Sequence, residues 1–269
     1  MAERLFFAEQ SGDEYTNRLL CLALDVGEGM LKNGGEINRV EDTIERICYA
    51  YGAAHVEVFG IPSLILAAIR MPDGSYSSQT RRIQSVGNNL LRLELFNGIS
   101  RTICQELPDL DTLDRMIRDA KKKPTYPKWL RCLAFALAAG AFAVFFGGDV
   151  KDGAVAALIG TVLFFVDLLP FRTDNVLAKT LIQSFVAGVF ASLAVRVGLG
   201  SDEGIIMIGT IMLLIPGLAF GTALRDLLCG DILAGTLKTL QCVLVALMIA
   251  AGYLLAIFLM QGVFGGVAV

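Results

Sequence analysis

Apolar side chains recur at helical spacing early in the chain. Leu19, Leu20, Leu22, Ala23, Val26 and Met30 predict a helix over 14–31. Asn33-Gly34-Gly35 stops it, because glycine suits the left-handed turn that closes a helix. A second helix is expected from Asn38, with a stripe of Val40, Ile44, Ile47, Cys48 and Tyr51 and an end at Gly52. Asn38 with Glu41 three residues on resembles a capping box. The period then changes to two. His55 to Phe59 alternates, Ser63 to Arg70 reads as a more apolar strand buried on both faces, and Pro72-Asp73-Gly74 turns into a polar edge strand over 75–82. Helical pattern returns over 86–104 and 110–123, and a basic linker with two prolines follows over 121–128.

Beyond residue 128 the pattern loses its polar half. Apolar runs over 129–146, 153–169, 176–195, 204–224 and 239–264 are each read as a membrane span. Backbone groups in lipid must bond to one another, so the spans are helices. The predicted fold class is an α+β cytoplasmic domain, 1–128, followed by an α-helical membrane bundle of about five transmembrane helices, 129–269. Charge agrees with this division: the first 128 residues hold 34 charged side chains and the longer remainder only 15.

Lys and Arg set the orientation. Lys121, Lys122, Lys123, Lys128, Arg131, Arg172, Lys179, Arg225 and Lys238 fall on one side of the five spans, and Lys151 and Arg196 on the other. The basic side is cytoplasmic. This predicts an inner (plasma) membrane protein with its N-terminus inside and its C-terminus outside. Tyr126 and Trp129 stand where interfacial aromatics belong.

Composition removes several function classes. Mean hydropathy of +0.61 is too high for an ordinary soluble protein. A net charge of −3 leaves no basic stripe for nucleic acid. The six cysteines show no metal or redox spacing, and no phosphate loop or nucleophile–base constellation is seen. The expectation is a non-enzyme with no cofactor and no metal.

The candidate chemistry is the ionic and backbone-breaking residues of the apolar half. Arg225 suits a carboxylate because its planar fork meets both oxygens. Asp226 could hold an ammonium group or a proton. Asp167, near the end of the second span, is a candidate proton carrier. Pro216-Gly217 would break the fourth span and free carbonyls to line a cavity. Each also has a plainer reading, as an interfacial charge or a packing kink. Asp174 and Asn175 are expected to cap the third span, and Asp231 to pair with Lys238. Glu36, Arg39 and Asp42, spaced by three, could share one surface for gating or docking beneath the membrane, or form a solvated helix start.

Three blocks resemble the threonine/serine exporter family. They are Asn33-Gly34-Gly35-Glu36-Ile37-Asn38-Arg39-Val40-Glu41-Asp42-Thr43-Ile44-Glu45-Arg46-Ile47, then Val56-Glu57-Val58-Phe59-Gly60-Ile61-Pro62-Ser63, then Ile215-Pro216-Gly217-Leu218 with Leu224-Arg225-Asp226-Leu227-Leu228-Cys229-Gly230-Asp231. The second block departs from the Thr-Pro-Thr-Gly-like turn usual in the family. The resemblance implies a cytoplasmic domain, about five spans, and a second membrane module. In the split form that module is a separate small protein, so this chain resembles the larger subunit. It implies a secondary exporter subunit for small carboxylate-bearing metabolites, threonine/serine-type amino acids first. A dicarboxylate such as succinate is the alternative. A membrane-tethered sensor or assembly protein is a rival of another class. Expected partners are the small-molecule substrate, the lipid membrane, and a second small membrane subunit or further copies of this chain.

Overall fold

A computed structural model describes residues 2–84, 86–124, 126–169 and 175–264. The chain divides into two compact units, Met1–Thr125 with Leu218–Thr239, and Tyr126–Gly217 with Leu240–Val269.

The first unit opens with α1 (Ala2–Lys32) and α2 (Ile37–Ala50), continues through β1 (His55–Ile61), β2 (Leu64–Arg70) and β3 (Tyr76–Arg82), and returns to helix in α3 (Leu90–Glu106) and α4 (Leu110–Lys122). The strands form an antiparallel meander in the order β1-β2-β3, with Val58 opposite Ala67 and Leu66 opposite Thr80. The predicted stripes are the core: Leu19, Leu20, Ala23, Val26, Val40, Ile44 and Ile47 are fully buried, and Ile65 and Ile69 of β2 join them. Two glycines let α1 approach its neighbours. A Cβ at Gly27 would stand 2.5 Å from Ile44, and one at Gly29 would stand 2.3 Å from the Phe96 ring of α3.

Two local expectations are overturned here. β2 alternates, with Ile65, Ala67 and Ile69 buried while Leu66 is exposed, so the sheet is covered on one face only. An antiparallel meander can leave its other face to solvent, whereas a strand buried on both sides needs a layer on each. Asn38 and Glu41 also form no capping box. Helix α2 starts at Ile37, its N-cap Glu36 makes no side-chain cap bond, and Glu41 bonds elsewhere.

The second unit holds α5 (Lys128–Phe145), α6 (Val150–Leu168), α7 (Val176–Arg196), α8 (Glu203–Leu214) and the greater part of α10 (Ile232–Phe264). α9 (Gly217–Cys229) belongs from Leu218 onward to the first unit, as do the opening turns of α10. Small residues carry the packing of the second unit. A Cβ on Gly140 would lie 2.8 Å from the Gly153 carbonyl oxygen, and one on Gly209 2.8 Å from that of Ala139. A Cβ on Gly252 of α10 would lie 2.1 Å from Ser184 Oγ of α7. Close backbone approach is how helices associate when lipid supplies no hydrophobic drive between them.

Among the described residues, three helices are long and apolar enough to cross a bilayer, Lys128–Phe145, Val176–Arg196 and Ile232–Val263; α8 and α9 make a fourth if the pair is one broken span. α6 has 19 residues but carries Lys151, Asp152 and Asp167, and is not among them. Asp149 and Asp152 form a capping box at its start, and the buried Asp152 carboxylate also accepts from Ser201 N (2.6 Å) and Asp202 N (3.1 Å). Asn175 caps α7 by accepting from Leu177 N at 3.0 Å. Arg172 and Asp174 lie outside the described residues.

Candidate functional site

The turn that ends α1 sets the geometry. Gly34 has φ +95°, and Gly35 N donates to Met30 O at 3.0 Å, so the chain reverses tightly and presents Gly35, Glu36 and Ile37 in succession. Ile37 is the first residue of α2, and its N–H has no acceptor within its own helix. Asp226 of α9 supplies one, its Oδ1 lying 3.3 Å from Ile37 N. A carboxylate at a helix N-terminus is favoured by the aligned peptide dipoles. Asp226 therefore does, from 189 residues away, what a local cap does in most helices.

Its other oxygen meets Lys238 of α10 at 2.6 Å. This pair is buried, with side chains 1% and 10% exposed for Asp226 and Lys238. Lys238 Nζ also donates to Gly35 O at 3.5 Å, so both ions contact the α1–α2 turn. The neighbouring Arg225 differs. Its Nη1 donates to Glu36 Oε1 at 3.0 Å, yet its side chain remains 62% exposed. One ionic pair is thus locked in; in the adjacent one Arg225 is open to water while Glu36 is only 15% exposed.

Two further carboxylates complete the cluster. Glu41 Oε1 accepts from Gly60 N at 2.5 Å. Burial pushes the Glu41 carboxyl up to about 7; the Gly60 bond opposes this, while the charges of Asp231, Glu45 and Asp226 add to it. Asp231, between α9 and α10, is also shifted up, by burial first and then by Asp226, with Lys238 acting against. Its Oδ2 is buried without a hydrogen-bond partner among the described residues. Two cations thus stand among four carboxylates, one of which can take up a proton near neutral pH.

Three predicted residues, Glu36, Arg225 and Asp226, meet here. Arg39 and Asp42 do not join them: Arg39 reaches Asn97 at 3.5 Å, and Asp42 pairs with Arg46 one turn along α2 at 2.8 Å. Lys238 pairs with Asp226, not with Asp231 as its position suggested. Lys238 and Glu41 were not among the candidates. A lysine at the edge of a long apolar run was a usable signal for the first; for the second, the capping pattern offered a sufficient local explanation.

Asp167 belongs to the second unit. It lies 2.6 Å from Lys179 of α7 and 3.4 Å from Arg131 of α5, so one carboxylate ties three helices. Arg131 also sits over the Phe164 ring, 5.8 Å from its centroid. Pro216 and Gly217 mark the break between α8 and α9. Ile215 caps α8, and Gly217 N turns back to Ile215 O at 2.9 Å. A Cβ at Gly217 would meet nothing within 4 Å, so the break needs proline's missing donor more than glycine's small size.

The site draws on all three sequence blocks: Gly35, Glu36, Ile37 and Glu41 from the first, Gly60 from the second, Arg225, Asp226 and Asp231 from the third. The sequence profile of the threonine/serine exporter (ThrE) family matches residues 21–260. The chain belongs to that family. Among curated relatives of this exporter-family chain, one from Klebsiella aerogenes is named "Probable succinate transporter subunit YjjP". It is 27% identical over 230 residues, 84% of this chain and 88% of the relative. A protein of the same name from Escherichia coli strain K12 is 25% identical over 240 residues, 88% of this chain and 92% of the relative. No solved structure matches. With its apolar helices and its transporter family, the chain is a membrane protein of transport.

Proposed function

We propose that this chain is the larger subunit of a two-component secondary exporter in the inner membrane. It moves small carboxylate-bearing metabolites outward, threonine/serine-type amino acids first. Residues 1–128 form its cytoplasmic domain and 129–269 its five-span membrane part, with the C-terminus outside. A second small membrane subunit, further copies of the chain, or both complete the route. The observation that carries this reading is the open Arg225–Glu36 pair beside the locked Asp226–Lys238 pair, where the family's three blocks meet. An exposed arginine that already grips a carboxylate can exchange it for the carboxylate of a substrate. Glu41 provides a proton site in the same cluster. Asp167 and the broken backbone at Pro216-Gly217 are the further groups we assign to the permeation path. Arg39 and Asp42 are left as an outward surface of α2 for gating or docking.

A dicarboxylate is the second reading, favoured by the names of the two relatives. Both readings are tested by efflux of labelled serine and succinate from liposomes holding the chain with a candidate partner. Arg225→Ala should abolish export while its membrane level stays intact, and Arg225→Lys should retain part of it. Unchanged export by Arg225→Ala would remove the arginine from the mechanism. Cross-competition between serine and succinate ranks the substrates. No flux with any partner would instead favour a tethered sensor or assembly protein.

A further inference from the structure

Arg92 lies in the first turn of α3, where its backbone N–H donates to the Asn89 cap at 3.1 Å. Its side chain is less well served. The Nε is buried and has no hydrogen-bond partner among the described residues. A guanidinium stays charged at physiological pH and carries five donors in a planar fork, so a half-buried one whose Nε is unpartnered suits an anionic group.

The same side chain lines a cavity of about 510 Å³ in the first unit, with Lys32, Lys121, Glu28, Asn33 and Phe96. That volume lies within the usual range for small-molecule sites. Three lining cations face one lining carboxylate. Glu28 is occupied by Lys32, and Lys121 reaches Asp25 at 3.5 Å. Among the described residues, Arg92 is the lining cation that no carboxylate meets. Val86, 38% exposed, adds an apolar wall for a carbon skeleton.

We propose that this cavity is a binding site for a small organic anion, its acidic group, carboxylate or phosphate, held by Arg92 and its carbon frame against Val86. The site lies beyond the transport cluster, since none of Arg225, Asp226, Lys238 or Glu41 lines it. It is nevertheless one turn away. Lys32 and Asn33 form its wall, and Gly35, two residues on, receives Lys238. The loop leading to Arg92 is pinned to the same turn, Gly87 N donating to Lys32 O at 2.9 Å and Asn89 N to Asn33 O at 3.2 Å. An occupant drawing on Arg92 therefore acts on the segment that carries the ionic cluster.

Detergent-purified full-length chain in the Arg225→Ala background separates this site from the transport reading. Calorimetric titration uses succinate, L-serine and inorganic phosphate as probes. Saturable binding of at least one probe should persist in Arg225→Ala and weaken about tenfold or more when Arg92→Gln is added. The ratio between succinate and phosphate distinguishes a carboxylate from a phosphate ligand. No saturable binding in Arg225→Ala, or equal affinity after Arg92→Gln, overturns the proposal. If the Arg92 variant is not monodisperse, Lys121→Gln in the same background decides: several-fold weaker binding supports the site and unchanged binding overturns it.

Discussion

Asp226 and Lys238 each place a full charge where water scarcely reaches, and each is tolerable only because of the other. Removing one partner of a buried pair costs about 3–5 kcal/mol, since the survivor is left uncompensated. Asp226→Asn should therefore lower thermal stability in detergent strongly. Asp226→Asn with Lys238→Met should recover much of that loss, and additive losses in the double variant would mean that the pair is not coupled. Glu41 carries a pH signature. Its carboxyl, shifted up to about 7, binds its proton more tightly folded than unfolded. Its contribution is fully present below the unfolded value and is lost as pH rises through about 7. Melting temperature should fall between pH 5 and roughly pH 8 in the native chain and fall less in Glu41→Gln, whose amide oxygen can still accept from Gly60 N. An identical pH profile in both proteins would contradict the assignment. At this scale the sequence was half legible. Arg225 and Asp226 stand out as charges in an apolar stretch, but nothing local to Asp226 names Lys238 or the α2 N-terminus as its partners.

Helices and their breaks were the most readable elements. The stripes of α1 and α2, the Asn33-Gly34-Gly35 stop and the break at Pro216 follow from side-chain period and backbone chemistry, which act over a few residues. Strand burial was read less well, because an apolar run cannot say whether a layer covers its second face; Leu66 is exposed. The packing of the apolar helices rests on glycine positions that hydropathy treats alike. Gly252→Ala would drive a methyl to 2.1 Å from Ser184 Oγ and 2.7 Å from the Leu181 carbonyl oxygen, so α7 and α10 must separate. A loss of about 1–3 kcal/mol is expected, read as a lower melting temperature or aggregation on size exclusion. Gly217→Ala meets open space and should leave stability unchanged. Equal losses at the two glycines would refute the packing account.

At the scale of the molecule, alternation of basic and non-basic loops predicts which ends face the cytoplasm. Cysteines introduced at exposed positions 126 and 199 of a cysteine-free chain test it: a membrane-impermeant maleimide added to intact cells should label Leu199→Cys and spare Tyr126→Cys. Labelling of both from the same side would break the five-span reading. What the sequence alone determined is the division of labour: a charged first half and an apolar second half, with helix periods and stops between them. Those properties depend on neighbours in the chain, so they need no tertiary contact. What only the tertiary structure decided is company. Residues 218–239 group with the N-terminal unit, and Glu36 meets Arg225 across 189 residues. Lys238 turns to Asp226 although Asp231 is closer in the chain. Such pairings follow from burial and charge in three dimensions, where an ion shed of its water takes whichever partner the packing brings within reach.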